Sequence, residues 1–216
     1  MRLEGLEALL AHPLVVRVAR ELVERPGTPA TPDPDARLAA VALVLRLGAN
    51  GEPELLFIRR AERAGDPWSG HVAFPGGRKD PVDASLLDTA RRETLEETGV
   101  DLARDGLILG QLDDLQPRTP TLPPVMVRPF VALVPEVELT LNYECADAFW
   151  VPLAWLRDPA SRRMTVLRER GMELQVYSYQ HGEHLIWGMT ERILQQLVAI
   201  AGAGEGAAEG RADAPG

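Results

Sequence analysis

The stretch "RRETLEETGV", residues 91–100, places Glu93, Glu96 and Glu97 within roughly one and a half turns of a predicted helix. Like charges at these spacings face one another and repel by about 0.2–0.5 kcal/mol per pair. At about 100° per residue the three carboxylates fall within an arc of roughly 100°. Leu87, Ala90 and Thr94 lie beside that arc and can pack on a sheet. The glutamates therefore belong at the margin of a core, not on the far solvent face. Two readings are open. One is a solvated acidic surface; the other is a cluster that grips a hard divalent cation, which takes oxygen ligands.

Working outward, the helix is predicted over Ser85 to Thr98, with Ser85 as N-cap and Gly99 as the glycine stop. Before it, "AERAGDPWSGHVAFPGGRKDPVD" (61–83) is a long loop punctuated by Gly and Pro, a kind usually kept for function. Before that loop, "RLAAVALVLRL" (37–47) and "ELLFIRR" (54–60) read as strands of a hairpin turning at "GANGEP". Strand-like pieces follow at "LILGQLDDL" (107–115), "VMVRPFVALV" (125–134) and "DAFWVPLAWL" (147–156). The segment from Met172 reads as a strand, a tight turn at "QHGEH", and a helix entered through "IWGMT" (186–190).

This pattern divides the chain into a helical N-terminal extension (1–26), a Pro-rich linker (27–36), a main domain (37–202) and a small, polar tail (203–216) read as disordered. Pro13 is a predicted break between a short first turn and a longer helix. No internal repeat is evident. The class is α+β.

The chain of 216 residues, 45% hydrophobic and 25% charged, is ordinary for a globular protein. A net charge of -9 argues against nucleic acid or an anionic membrane as partner. An anionic small molecule would then have to be met through a cation. Cys145 is the single cysteine, which excludes an intrachain disulfide and a cysteine-rich zinc site. No signal peptide or membrane-length apolar run is visible, so a cytoplasmic location is expected.

The run Arg92-Glu93-Thr94-Leu95-Glu96-Glu97-Thr98-Gly99-Val100 resembles the signature helix of the Nudix hydrolases, which follows a glycine-containing loop. Six matched positions arise by chance on the order of once in ten million starts at average residue usage. The resemblance implies an α/β/α sandwich with a mixed sheet flanked by helices. It also implies Mg²⁺- or Mn²⁺-dependent hydrolysis of a diphosphate. By the same resemblance Glu93, Glu96, Glu97 and the Gly77 carbonyl would hold metal, Glu93 would be a ligand or the general base, and Arg92 would orient the carboxylates. Glu144, before a later strand, is a candidate further carboxylate. Two departures stand out: Gly77 lies one residue further from Arg92 than in the commonest pattern, and Asp83 stands where a glutamate is expected.

"FPGG" (74–77), "RRA" (59–61), Gly70 and "IWGMT" resemble the coenzyme A pyrophosphatase branch, although Phe57 and Ile58 replace its usual Leu-Thr. Arg59, Arg60 and Arg63 are candidates to grip substrate phosphates, and Trp68 to stack on a base. Coenzyme A or a derivative is the expected substrate; ADP-ribose, a dinucleotide or another nucleotide is the alternative. A non-catalytic binding module of the same fold is the third possibility, and the complete glutamate set argues against it. His71, His181 and His184 show no ligand spacing among themselves, and Trp150, Trp155 and Trp187 are expected in the core. A monomer or a homodimer is expected.

Overall fold

The computed structural model describes residues 5–65, 68–117, 124–169 and 171–202. The tail at 203–216 lies outside the described residues. The strands are β1 (Arg37–Leu47), β2 (Pro53–Arg60), β3 (Val72–Ala73), β4 (Gly76–Arg78), β5 (Leu107–Gln111), β6 (Val125–Leu133), β7 (Cys145–Pro152), β8 (Arg162–Glu169), β9 (Met172–His181) and β10 (His184–Trp187). The helices are α1 (Glu7–Ala11), α2 (Pro13–Glu24), α3 (Leu86–Thr98), α4 (Leu153–Arg157) and α5 (Gly188–Gly202).

β1 is apolar on both faces, as a central strand must be when both faces are covered. It pairs with β6 in parallel, from Arg37↔Val125 to Leu45↔Leu133, and with β2 antiparallel near their turn. Beyond that turn the two strands separate. The N-terminal part of β1 takes β4 as partner, Ala39↔Arg78 to Val41↔Gly76, while β2 pairs with β3 and β7. The result is a mixed seven-stranded sheet.

Alternation along the strands divides the core. Ala40 packs with Leu86 and Ala90 of α3, and small side chains on both elements let the helix approach closely. Leu43, Leu45, Leu55 and Phe57 face the opposite way into a cluster with Leu9, Val15 and Val18 and with Leu194 and Leu197 of α5. The sheet thus lies between α3 on one face and α1, α2 and α5 on the other.

Pro13 occupies the first turn of α2, where its missing N–H costs nothing, and His12 Nδ1 accepts from Leu14 N at 3.3 Å. The Pro-rich segment is strapped to the sheet edge. Gly27 N donates to Gln111 O, Thr28 N to Asp113 Oδ1 at 2.7 Å and Ala30 N to Asp114 Oδ2 at 2.8 Å.

Two readings of local pattern differ from the structure. The strand predicted through Leu156 ends at Pro152, and α4 follows, turning Leu153 and Leu156 inward at helical i,i+3 spacing. A second sheet, β10-β9-β8, contains a strand at 162–169 that alternation did not reveal. Its residues are nowhere fully buried up to Arg168, so there is little apolar period to detect.

Candidate active site

α3 begins where Ser85 Oγ accepts from Asp88 N at 3.2 Å and ends at Gly99, whose φ of 75° is left-handed. Thr94, Glu97 and Thr98 are buried on its inner side. The three glutamates accordingly run from inside to outside: Glu97 is 2% exposed, the Glu93 side chain 15% and the Glu96 side chain 53%.

β4 brings two glycines beneath this helix. Gly76 N donates to Glu97 Oε2 at 2.8 Å, and with φ at 150° a Cβ there would lie 2.3 Å from Ala40 O. A Cβ on Gly77 would lie 2.5 Å from the Glu93 carboxylate. Both positions require the absence of a side chain, one for the strand and one for the carboxylate.

Burial pushes the Glu97 carboxyl up to about 8, with the Glu93 charge adding to it and the Gly76 N–H opposing. Burial likewise raises Glu93, against the pull of Arg92. Both carboxyls are withdrawn from water, which disfavours their charged forms.

Arg92 spans the cluster. Its Nη1 donates to Glu93 Oε1 at 2.9 Å and Glu96 Oε2 at 3.3 Å, and its Nη2 to the Arg78 carbonyl at 3.1 Å. Its other edge is gripped by Asp83, with Nε to Oδ1 and Nη2 to Oδ2 both at 3.0 Å. Asp83 also accepts from Asp80 N and Thr89 Oγ1, both at 2.9 Å. The hydrogen bonds from Arg92 hold the Asp83 carboxyl well below the usual carboxylate range, and Asp83 in turn raises Arg92. The shorter aspartate therefore still reaches the arginine. Thr89, Asp80 and the Arg78 carbonyl were not singled out from sequence; hydroxyl and backbone partners carry no motif signal.

The remaining candidates divide. Glu144 lies at the head of β7, and its charge acts on both Glu93 and Glu97. Arg63 Nη1 donates to Glu144 Oε1 at 3.1 Å, and the guanidinium carbon Cζ lies 4.9 Å from the centre of the Tyr143 ring. Arg63 is thus occupied by a carboxylate in this structure. The Arg60 charge acts on Glu97, whereas Arg59 stands in register with Asp147 on β7. Trp68 is half-buried in the loop before Gly70, and its carbonyl accepts from His71 N at 3.2 Å. Cys145 is buried, and burial, then Glu97, pushes its thiol up to about 12, which leaves it inert. Trp150, Trp155 and Trp187 are half-buried at the core margin, not fully inside.

"IWGMT" meets the segment just ahead of "FPGG". Thr190 Oγ1 donates to the Val72 carbonyl at 2.9 Å, and the Trp187 and His71 ring centres are 4.9 Å apart. An oxygen-only set of one buried, one half-buried and one exposed carboxylate, with the carbonyl of a glycine strand adjoining, suits a hard divalent cation.

The NUDIX domain family matches residues 36–170. The chain is 36% identical over 172 residues to the uncharacterized Nudix hydrolase NudL of Photorhabdus laumondii, covering 77% of this chain and 89% of that one. It is 33% identical over 174 residues to the human mitochondrial coenzyme A diphosphatase NUDT8, covering 76% and 71%. The crystal structure of a NUDIX hydrolase from Alicyclobacillus acidocaldarius aligns with a TM-score of 0.52 at 26% identity, over 81% of this chain and 95% of that one. No described helix is long and apolar enough to cross a membrane. The chain belongs to the NUDIX domain family and is a Nudix hydrolase.

Proposed function

We propose that this hydrolase cleaves the P–O–P bridge of a nucleoside diphosphate-linked small molecule, coenzyme A or a derivative of it, with Mg²⁺ or Mn²⁺. The observation that carries the proposal is the buried Glu97 carboxylate set against Glu93 under the Gly76–Gly77 strand, its charged form disfavoured until a cation arrives. Glu93, Glu96, Glu97 and the Gly77 carbonyl would hold the metal. Bound there, divalent ions neutralise phosphate charge and lower the pKa of a coordinated water.

The protein's own groups do the rest. Arg92, clamped by Asp83, fixes the Glu93 and Glu96 carboxylates in place. Glu93 or Glu144 accepts the proton of the attacking water. Arg60 meets the diphosphate from β2. Arg63 is a secondary contact after release from Glu144, whereas Arg59, opposite Asp147, lies on the other face of the sheet. Trp68, in the loop leading to "FPGG", offers an aromatic face to a base.

The coenzyme A assignment rests on the resemblance of "FPGG" and "IWGMT" to that branch, on the contact of "IWGMT" with the segment just ahead of "FPGG", and on similarity to the human diphosphatase. Neither nucleic acid nor membrane is proposed as a partner, and a cytoplasmic location accords with the single cysteine. Phosphate-release assays of coenzyme A, acyl-coenzyme A, ADP-ribose, NADH, dinucleoside polyphosphates and nucleoside triphosphates, with Mg²⁺ and Mn²⁺, test the proposal. Highest kcat/KM on coenzyme A compounds supports it. Preference for nucleoside triphosphates overturns the substrate and leaves the reaction class.

A further inference from the structure

The turn joining β9 to β10 carries a second set of ligand-type side chains. Asp147 on β7, Glu183 and His184 each bring one donor atom to within 4.8 Å of the other two. Spacing among the histidines could not reveal this group, because its third member comes from a strand 36 positions earlier in the chain. Asp147 is on the same face of β7 as Phe149, which belongs to the core cluster beneath α2 and α5; α3 and its glutamates cover the other face.

His184 is held rigidly. Its ring stacks on Phe149, with centres 3.8 Å apart and planes 9° from parallel, and its side chain is 10% exposed. Nε2 stands 3.2 Å from Asp147 Oδ2. Nδ1 is buried and has no partner among the described residues.

Besides His184, the cationic residue placed beside this group is Arg59, opposite Asp147 in the β2–β7 register. Asp147 accepts from its neighbour Ala148 N at 2.8 Å. Two acids thus converge on a stacked, mostly buried imidazole. Gly182, with φ of 57°, makes the tight turn that presents Glu183 and His184 side by side, and Glu183 remains exposed at the mouth.

We propose that Asp147, Glu183 and His184 bind a first-row divalent cation of the zinc type, separate from the catalytic ions. One imidazole nitrogen with two carboxylate oxygens is a donor set that favours Zn²⁺ or Co²⁺ over Mg²⁺, which demands oxygen and retains its waters. Three protein ligands leave a coordination position for water. The exposed Glu183 supplies the adjustment needed to reach bonding distance. Such an ion would staple the β9–β10 turn of the smaller sheet to β7 of the larger one.

The test is isothermal titration of metal-stripped, full-length protein with Zn²⁺ in excess Mg²⁺, paired with Co²⁺ absorption spectra and thermal melts. The proposal expects one equivalent of Zn²⁺ bound in wild type, visible Co²⁺ d–d bands, and a rise in Tm on adding Zn²⁺. Asp147→Asn, nearly isosteric and exposed enough to spare the fold, should lose all three, as should His184→Gln. Glu97→Gln should keep them while abolishing turnover, so failure of this site and failure of the catalytic reading are told apart. Equal Zn²⁺ stoichiometry in wild type and Asp147→Asn, no Zn²⁺ binding in wild type, or loss of binding in Glu97→Gln alone would each overturn the proposal.

Discussion

Asp83 and Arg92 meet through two parallel 3.0 Å hydrogen bonds, and the free edge of the same guanidinium reaches Glu93 and Glu96. The aspartate side chain is 4% exposed, so its charge is satisfied by this pairing and by two further donors, not by water. One buried acid thereby sets the orientation of two others that face the proposed diphosphate site.

Asp83→Ala should cost about 3–5 kcal/mol in urea unfolding, because it leaves Arg92 without its main partner in a largely buried setting. Turnover should also fall, chiefly in kcat, while Asp83→Glu retains most of both. The same group sets the acid limb of stability. Its folded pKa is depressed, so its contribution is present above the unfolded value of about 3.9 and is lost as pH falls through the folded value. Denaturant melts of Asp83→Asn should show a flatter decline in acid than wild type; parallel declines would refute the assignment.

Glu97→Gln should abolish Mg²⁺-dependent hydrolysis and leave the far-ultraviolet circular dichroism unchanged. Wild-type turnover by the purified variant would remove Glu97 from the metal set.

The raised Glu97 pKa has the opposite sign to that of Asp83. Without metal, its stabilising contribution is complete below the unfolded pKa of about 4.3 and is lost as pH rises towards about 8. Metal-free wild type should therefore lose on the order of 1–3 kcal/mol of stability across that window relative to Glu97→Gln. Adding Mg²⁺ should narrow the difference, since the ion favours the ionised carboxyl. Identical pH profiles of the two metal-free proteins would contradict this.

The two glycines of β4 should respond differently to alanine. Gly76→Ala meets backbone at Ala40 O and adopts a strained φ, so a stability loss above about 2 kcal/mol is expected. Gly77→Ala presses on the Glu93 carboxylate, a side chain able to shift, so it should lower kcat and metal affinity more than Tm. Thermal melts and steady-state kinetics separate the two.

Leu9→Ala should destabilise by about 2–5 kcal/mol, since Leu9 is fully buried in the cluster shared with β1, β2 and α5. A change under 0.5 kcal/mol would mean that α1 does not hold this position in solution.

What residues 85–99 determined is the part of the site set by local backbone geometry. Helical spacing alone gathers Glu93, Glu96 and Glu97 on one arc, Ser85 and Gly99 bound the helix, and Ala90 and Thr94 mark its inner side. Those relations involve neighbours in sequence, so the pattern is readable without a fold. The second sheet, the turn into α4 at Leu153, the Arg63–Glu144 pair and the Asp147–His184 approach join segments far apart in the chain. Which arginine pairs with Glu144 and which lies near Glu97 depended on strand register, and how far Glu97 departs from an ordinary carboxyl depended on burial under β4. Desolvation and pairing are properties of surroundings, and only the packed sheet supplies the surroundings.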